Sequence, residues 1–374
     1  MTISGQTFIN KFEQFCPLWL AEQGDPCGLH IGTLRKPVKK IMMTLDVRPE
    51  VVKEAVDNNI DLIIAKHPPI FHSIKRLTTD DKQVKMYADL MKNDIAVYAA
   101  HTNMDIMRDG LNDWFCEMLD IQVDDYLSKT HEIFYEKLVV YVPEKDAAEM
   151  RQALGDAGAG KLGHYHHSSY SMAGAGRFTP DEWADPTIGQ KNQPEKVAES
   201  RIEVILPKTI EEKVLQAMFQ VHPYEEAAYD LIPLANPPQT FGIGRIGHLK
   251  KPLDIESLVK KVKDAFDLDG LRLIQPICDP VKKIQKIAIC GGSAGKYYQD
   301  ALKKGADVYL TGDVYYHTAH DMQASGLTVI DPGHHIEVVC INKFIEKMEQ
   351  WKKEEGWDVT FLASHVNTDP FQFR

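Results

Sequence analysis

The sequence predicts an α/β protein in which two similar α/β halves form one core, with an inserted ferredoxin-like α+β domain between them. Three observations predict it. The front third alternates short apolar runs with amphipathic helical patterns. The back third repeats that grammar, and Asp61 to His67 and Asp307 to Asp313 each span six positions from a buried strand to a polar turn. The middle third instead reads strand, helix, strand, strand, helix, strand. The boundaries follow as 1–129 for the first half, 130–248 for the insert and 249–374 for the second half.

Taken in order, Phe8, Phe12, Phe15, Leu18 and Trp19 mark an amphipathic N-terminal helix. A strand is expected over 40–47 and a helix over 49–58, which opens on Pro49. The run 61–65 is apolar enough for a buried parallel strand, and Pro68-Pro69 ends it just after Lys66-His67. A helix over 82–93 and a strand over 95–100 lead into His101-Thr102-Asn103-Met104-Asp105. In the middle, strands are expected over 136–142, 203–206 and 227–232, and helices over 146–157 and 209–220. Gly, Ser, Asn and Pro make 158–200 read as strands with long loops. In the back third, strands are expected over 286–290, 307–310 and 327–330, with helices over 296–304 and 315–324.

With 374 residues, two or three domains are expected. Apolar residues are 44% and charged residues 26%, an ordinary globular balance. No apolar run nears the roughly 20 residues that span a bilayer, and the first 30 residues lack a secretory pattern. A cytoplasmic protein without membrane contact is expected. A net charge of -11 argues against a nucleic-acid partner. The six cysteines form no CxxC pair, so buried thiols are expected rather than a zinc finger.

Functional groups gather at the ends of the apolar strands, where ligands bind in open parallel sheets. His67, Asp105, Asp313 and His334 all lie just past such ends. Taken singly, His67 also reads as a strand-end cap and Asp105 as a turn or N-cap residue. His334 and Glu337 are three apart at the start of a helical pattern marked by Ile336, Val339, Cys340 and Phe344, so they share a face, either as ligands or as a surface pair. His335 points about 100° away on a helix. Two imidazoles and two carboxylates suit zinc, iron or manganese better than calcium or magnesium. The metal set is therefore His67, Asp105, His334 and Glu337, for one or two divalent ions. Three further features stay open. Gly291 to Gly295 is a tight turn or an anion-binding loop. His164, His166 and His167 are a polar loop or a second metal site. Val221 to Glu226 is a connection or a pocket rim.

Together these motifs resemble a known family. DLIIAKHPPIF from Asp61 to Phe71, AHTNMD from Ala100 to Asp105, TGD ending at Asp313 and GHHIE from Gly333 to Glu337 carry the resemblance, with DPCGL from Asp25 to Leu29 in front. They resemble the dinuclear-metal-centre hexameric family, also called the Ngg-interacting-factor-three-like family and commonly named for homology to a type two GTP cyclohydrolase I. VHPYEE from Val221 to Glu226 resembles the PII/CutA-like insert of its longer bacterial members. The resemblance implies a toroidal homohexamer, built as a dimer of trimers or a trimer of dimers, with metal sites facing an interior cavity. It implies a metal-dependent hydrolase of a nucleotide or related small molecule, with His101 or Asp313 shuttling protons. The alternative is a non-catalytic ring whose insert serves as a partner or effector module. One position departs from the pattern: many members carry a second histidine where this chain has Lys66. A protonated lysine cannot ligate a metal, so the second metal position loses a ligand. Lys66 is expected to hold an anionic substrate or to point to solvent.

Overall fold

The computed structural model describes residues 1–278 and 283–372. The chain divides into two compact units, 1–131 with 241–374, and 132–240. Strand Gln239–Leu253 runs through residue 248.

The first unit contains two sheets. In the front sheet, Thr360–Ala363, Lys40–Thr44, Leu62–Ala65 and Ala96–Ala99 pair in parallel, and Gly28–Ile31 closes one edge antiparallel. Leu62–Ala65 and Ala96–Ala99 are buried at every residue, as unbroken apolar runs require. Helices Pro49–Asp57 and Lys82–Lys92 pack Val51, Val52, Ala55, Met86 and Leu90 against Met42, Ile63 and Val97 on one face. Phe12 of helix Gly5–Phe15 meets Tyr98 at 5.9 Å and Phe344 of helix Val339–Glu355 at 5.2 Å between ring centroids. The rear sheet has Ile284–Ile289, Val308–Leu310 and Thr328–Asp331 in parallel. Arg272–Ile274 flanks one edge, and Gln239–Leu253 and then Ile121–Ile133 flank the other.

The two halves repeat each other bond for bond at their centres. Asp61 Oδ2 accepts from the backbone N–H of Lys39 and Lys40 at 2.7 and 2.9 Å. Asp307 Oδ2 accepts from Gln285 and Lys286 at 2.9 and 2.8 Å. Each preceding helix ends on a left-handed residue, Asn59 in one half and Gly305 in the other. The next amide then returns to the helix, Ile60 N–H to Ala55 O and Ala306 N–H to Ala301 O. A repeat with little residue identity is thus held by the same helix-exit device and the same carboxylate clamp.

The second unit has the element order Tyr135–Pro143, Ala147–Asp156, Tyr170–Phe178, Glu195–Pro207, Glu211–Val221 and Tyr229–Pro233. Its sheet is antiparallel throughout, with Tyr135–Pro143 and Glu195–Pro207 central. Leu138, Val140, Val142, Ile202, Val204 and Leu206 bury one face under Met150, Leu154, Val214 and Met218 of the two helices.

Two local expectations are corrected. The expected helix over 296–304 begins as a 3-10 turn, Gly295–Tyr297, and becomes α-helical only over Tyr298–Lys303. The segment from His334 to Val338 is likewise 3-10, and the α-helix starts at Val339. Among the described residues no helix is long and apolar enough to cross a membrane. All six cysteines are free, and of these Cys278 is exposed.

Candidate metal centre

The centre lies in the first unit, where strand ends of the two halves meet. The ladder of the front sheet continues one step past Leu62–Ala65, with Lys66 N–H to Thr44 O and His67 N–H to Leu45 O. That continuation fixes where Lys66 and His67 leave the sheet. From the rear half, the 3-10 turn stacks His334 and Glu337 on one edge, since three residues complete a turn. Gly312 lets its loop approach closely: a Cβ there would lie 2.9 Å from Gly333 C.

His67 Nε2 and Glu337 Oε2 are 3.0 Å apart, His67 Nε2 and His334 Nε2 are 3.2 Å apart, and His334 Nε2 and Glu337 Oε2 are 3.7 Å apart. His67, His334 and Glu337 thus form a group that can hold a metal ion. Ligand atoms about 2.1 Å from a tetrahedral ion lie about 3.4 Å from one another, and the three separations bracket that value. The other ring nitrogens agree. His67 Nδ1 is 2.8 Å from Asp46 Oδ1, and His334 Nδ1 is 2.7 Å from Asp313 Oδ2. With a metal bound, a carboxylate on each Nδ1 would hold the proton there and leave both Nε2 lone pairs aimed at one point. Either a metal ion or a proton on His67 Nε2 lets the two nitrogens lie 3.2 Å apart.

Electrostatics follow from the same contacts. Burial raises the Asp46 and Asp313 carboxyls, but the histidine hydrogen bonds outweigh it and hold both below the usual range. Burial lowers His67, while Asp46 and Glu337 together raise it to about 9. Glu337 is 1% exposed. Burial would raise its carboxyl, yet Lys66 and His67 hold it well below the usual range.

Lys66 neither points to solvent nor is free to hold a substrate anion. It is 1% exposed. Its Nζ lies 3.2 Å from both oxygens of Asp105 and 3.3 Å from Glu337 Oε2. Burial lowers its pKa, but those two carboxylates raise it further, so it stays an ammonium. Asp105 does not join the trio of His67, His334 and Glu337; it faces Lys66. Burial raises its carboxyl more than Lys66 lowers it, and its Oδ1 has no hydrogen-bond partner.

His101 lies beside the centre, its ring centroid 5.9 Å from that of His67. Its Nδ1 is 2.7 Å from Asp25 Oδ1, and Asp25 Oδ2 accepts from the Thr102 N–H and hydroxyl. Burial would raise Asp25, but these bonds hold it well below the usual range. Asp313, expected to move protons, is bound to His334 and to the Ser293 hydroxyl at 2.7 Å each. His335 stands outside the trio.

The glycine loop resolves as a turn that seats Glu337. A Cβ on Gly291 or Gly292 would come within 3.0 or 2.9 Å of Glu337 Oε1, and Gly292 has φ +65°. Gly292→Ala is therefore expected to destabilise the protein by about 1–2 kcal/mol from backbone strain alone and to displace Glu337. Thermal unfolding with and without metal checks this, and an unchanged midpoint with full metal retention would contradict it.

Asp46 was not singled out from the sequence, and Asp25 had no role there. Asp46 sits two residues past the end of strand Lys40–Thr44, the same placement that marked His67 and Asp105. In the second unit, His164, His166 and His167 are exposed, and among the described residues they form no ligand group. His167 lies 3.6 Å from Asp156. Tyr224 to Glu226 do line a cavity, so the pocket-rim reading of this segment holds.

A sequence model of the Duf34/NIF3 (NGG1p interacting factor 3) family matches residues 3–370. A Bacillus subtilis protein named "GTP cyclohydrolase 1 type 2 homolog" is 42% identical over 372 residues, covering 100% of this chain and 99% of that protein. A crystal structure of a Bacillus cereus protein related to NIF3 is 42% identical, with a TM-score of 0.89 over 100% of this chain and 99% of that one. A Staphylococcus aureus structure is 26% identical, with a TM-score of 0.80 and the same coverage.

Proposed function

The chain belongs to the Duf34/NIF3 family, and from that premise we propose that it is a metal-dependent hydrolase of a nucleotide or related small molecule. One observation carries the reading: His67 Nε2, His334 Nε2 and Glu337 Oε2 converge on one point, with a carboxylate behind each ring. Two imidazoles and a carboxylate are a donor set that catalytic zinc uses, and iron or manganese also fits. A bound ion there supplies Lewis acidity and lowers the pKa of water.

The chain's own groups do the rest. Asp46 and Asp313 orient the two ligating rings. Asp25 fixes the tautomer of His101 and leaves Nε2 as the atom that gives and takes a proton. Asp313 shares its charge between His334 and Ser293, so we assign it to orientation rather than proton transfer. GTP is the first substrate to try, because the relatives carry that name. We further propose a cytoplasmic homohexameric ring with zinc as the first metal to test.

The experiment is incubation of zinc- or manganese-loaded protein with GTP, with products separated by chromatography. Turnover should need metal, and His101→Asn should lose at least about 100-fold, the usual size of a general acid–base contribution, while keeping its metal. A loaded, folded protein that turns over neither GTP nor any other nucleotide would favour a second reading, a ring-forming regulatory scaffold. That reading also has an observation behind it. The helix-free face of the second unit holds a cavity of about 920 Å³, lined by Tyr141, Met172, Phe178, Arg201 and Tyr224, large enough for an effector.

A further inference from the structure

We propose that the Lys66 ammonium is a built-in second cation that limits the centre to one divalent ion per chain. The inference rests on the reading that His67, His334 and Glu337 bind such an ion. Glu337 Oε2 is the pivot. On one side it faces His67 Nε2 at 3.0 Å and His334 Nε2 at 3.7 Å. On the other it faces Lys66 Nζ at 3.3 Å. A carboxylate oxygen shared between two cations is one way a pair of metal ions is bridged, and here one member of the pair is an ammonium.

Asp105 completes the second half of the arrangement. Both its oxygens lie 3.2 Å from Lys66 Nζ, and the residue is buried. A second ion would have to draw on Asp105 and Glu337, the two carboxylates that the ammonium already neutralises. It would sit about 2 Å from oxygens that lie little more than 3 Å from Nζ, and buried like charges so close repel strongly. The lysine side chain is itself buried at this point, at 1% exposure. Among the described residues, no other group of ligands stands ready to hold a second ion.

The arrangement also gives Asp105 a role other than ligand: it anchors Lys66 and so places the ammonium against Glu337. It suits chemistry in which one metal acts beside a fixed positive charge, rather than between two metals.

The test is zinc content per chain after loading and dialysis of the full chain, by elemental analysis, with anomalous scattering to place the ions. The wild type and Lys66→Arg should each retain one ion. Lys66→His exchanges the cation for a neutral donor between Asp105 and Glu337, and should double the content to two. Two ions at this centre in the wild type would overturn the inference and leave the metal-site reading standing. One ion in a folded Lys66→His protein would overturn it too. No ion in any of the three would remove the metal-site reading itself. Should Lys66→His fail to fold, the wild-type count under excess zinc still decides between one ion and two.

Discussion

Arg245→Met is expected to destabilise the protein by about 3 kcal/mol, the low end of the cost of breaking a buried ion pair from one side, because Asp113 is 25% exposed and partly solvated. Arg245 is 2% exposed, and all five of its N–H donors are used. Nε and one Nη2 hydrogen grip Asp113 in a two-point fork at 2.6 and 2.7 Å. The other Nη2 hydrogen reaches Met107 O at 2.7 Å, and Nη1 reaches Gly242 O and Gly244 O at 3.1 and 2.8 Å. The guanidinium also lies 4.6 Å above the Tyr126 ring. These bonds tie the turn after Asp105 to strand Gln239–Leu253, and so join the front half of the first unit to the rear half. Methionine restores most of the volume but leaves Asp113 only the Gly110 N–H at 3.4 Å and takes a donor from three carbonyls. Lysine has three donors and no fork, so Arg245→Lys should recover only part of the loss. Urea unfolding followed by tryptophan fluorescence measures both, and a methionine variant within 1 kcal/mol of the wild type would refute the argument.

Much of this fold was legible because buried parallel strands advertise themselves. Leu62–Ala65 and Ala96–Ala99 are apolar at each position, and polar residues directly after them must leave the sheet. Two such ends in each half located His67 and His334 without any knowledge of contacts. The antiparallel strands were harder to read. Gly242, Gly244 and Gly247 interrupt the side-chain pattern of strand Gln239–Leu253, for which no strand was expected. In fact a Cβ on Gly242 or Gly247 would lie 2.3 or 2.2 Å from Ser128 O or Gln122 O of the neighbouring strand, so close approach excludes side chains there. Asp46 and Asp25 escaped notice for another reason. A carboxylate that orients a ring differs from any turn aspartate only by its partner, and that partner is 21 residues away for Asp46 and 76 for Asp25. Lys66 was visible as a departure from pattern, but whether an ammonium meets water or two carboxylates depends on chains folded from opposite ends of the sequence.

Glu337→Gln should reduce retained metal from stoichiometric to near background while leaving the fold intact. Glutamine keeps the shape that fits against Gly291 and Gly292, so the turn need not move. It removes the negative charge at the one atom that faces both imidazoles and the ammonium. Two neutral imidazoles alone bind zinc weakly, because a structural or catalytic site normally adds at least one more protein ligand. Lys66 keeps Asp105 as its partner, so the variant does not strand a buried charge. Glu337→Ala lacks that protection: it opens a void beside the ammonium as well as removing the ligand, and its metal loss would be confounded with local unfolding. Asp46→Asn offers the graded comparison. It leaves all three ligand atoms and weakens only the orientation of His67, so metal affinity should fall by about 10- to 100-fold rather than vanish. Elemental analysis after dialysis, with circular dichroism as the control for folding, separates the two variants. Full metal content in Glu337→Gln would mean that the ion is not held where His67 and His334 meet.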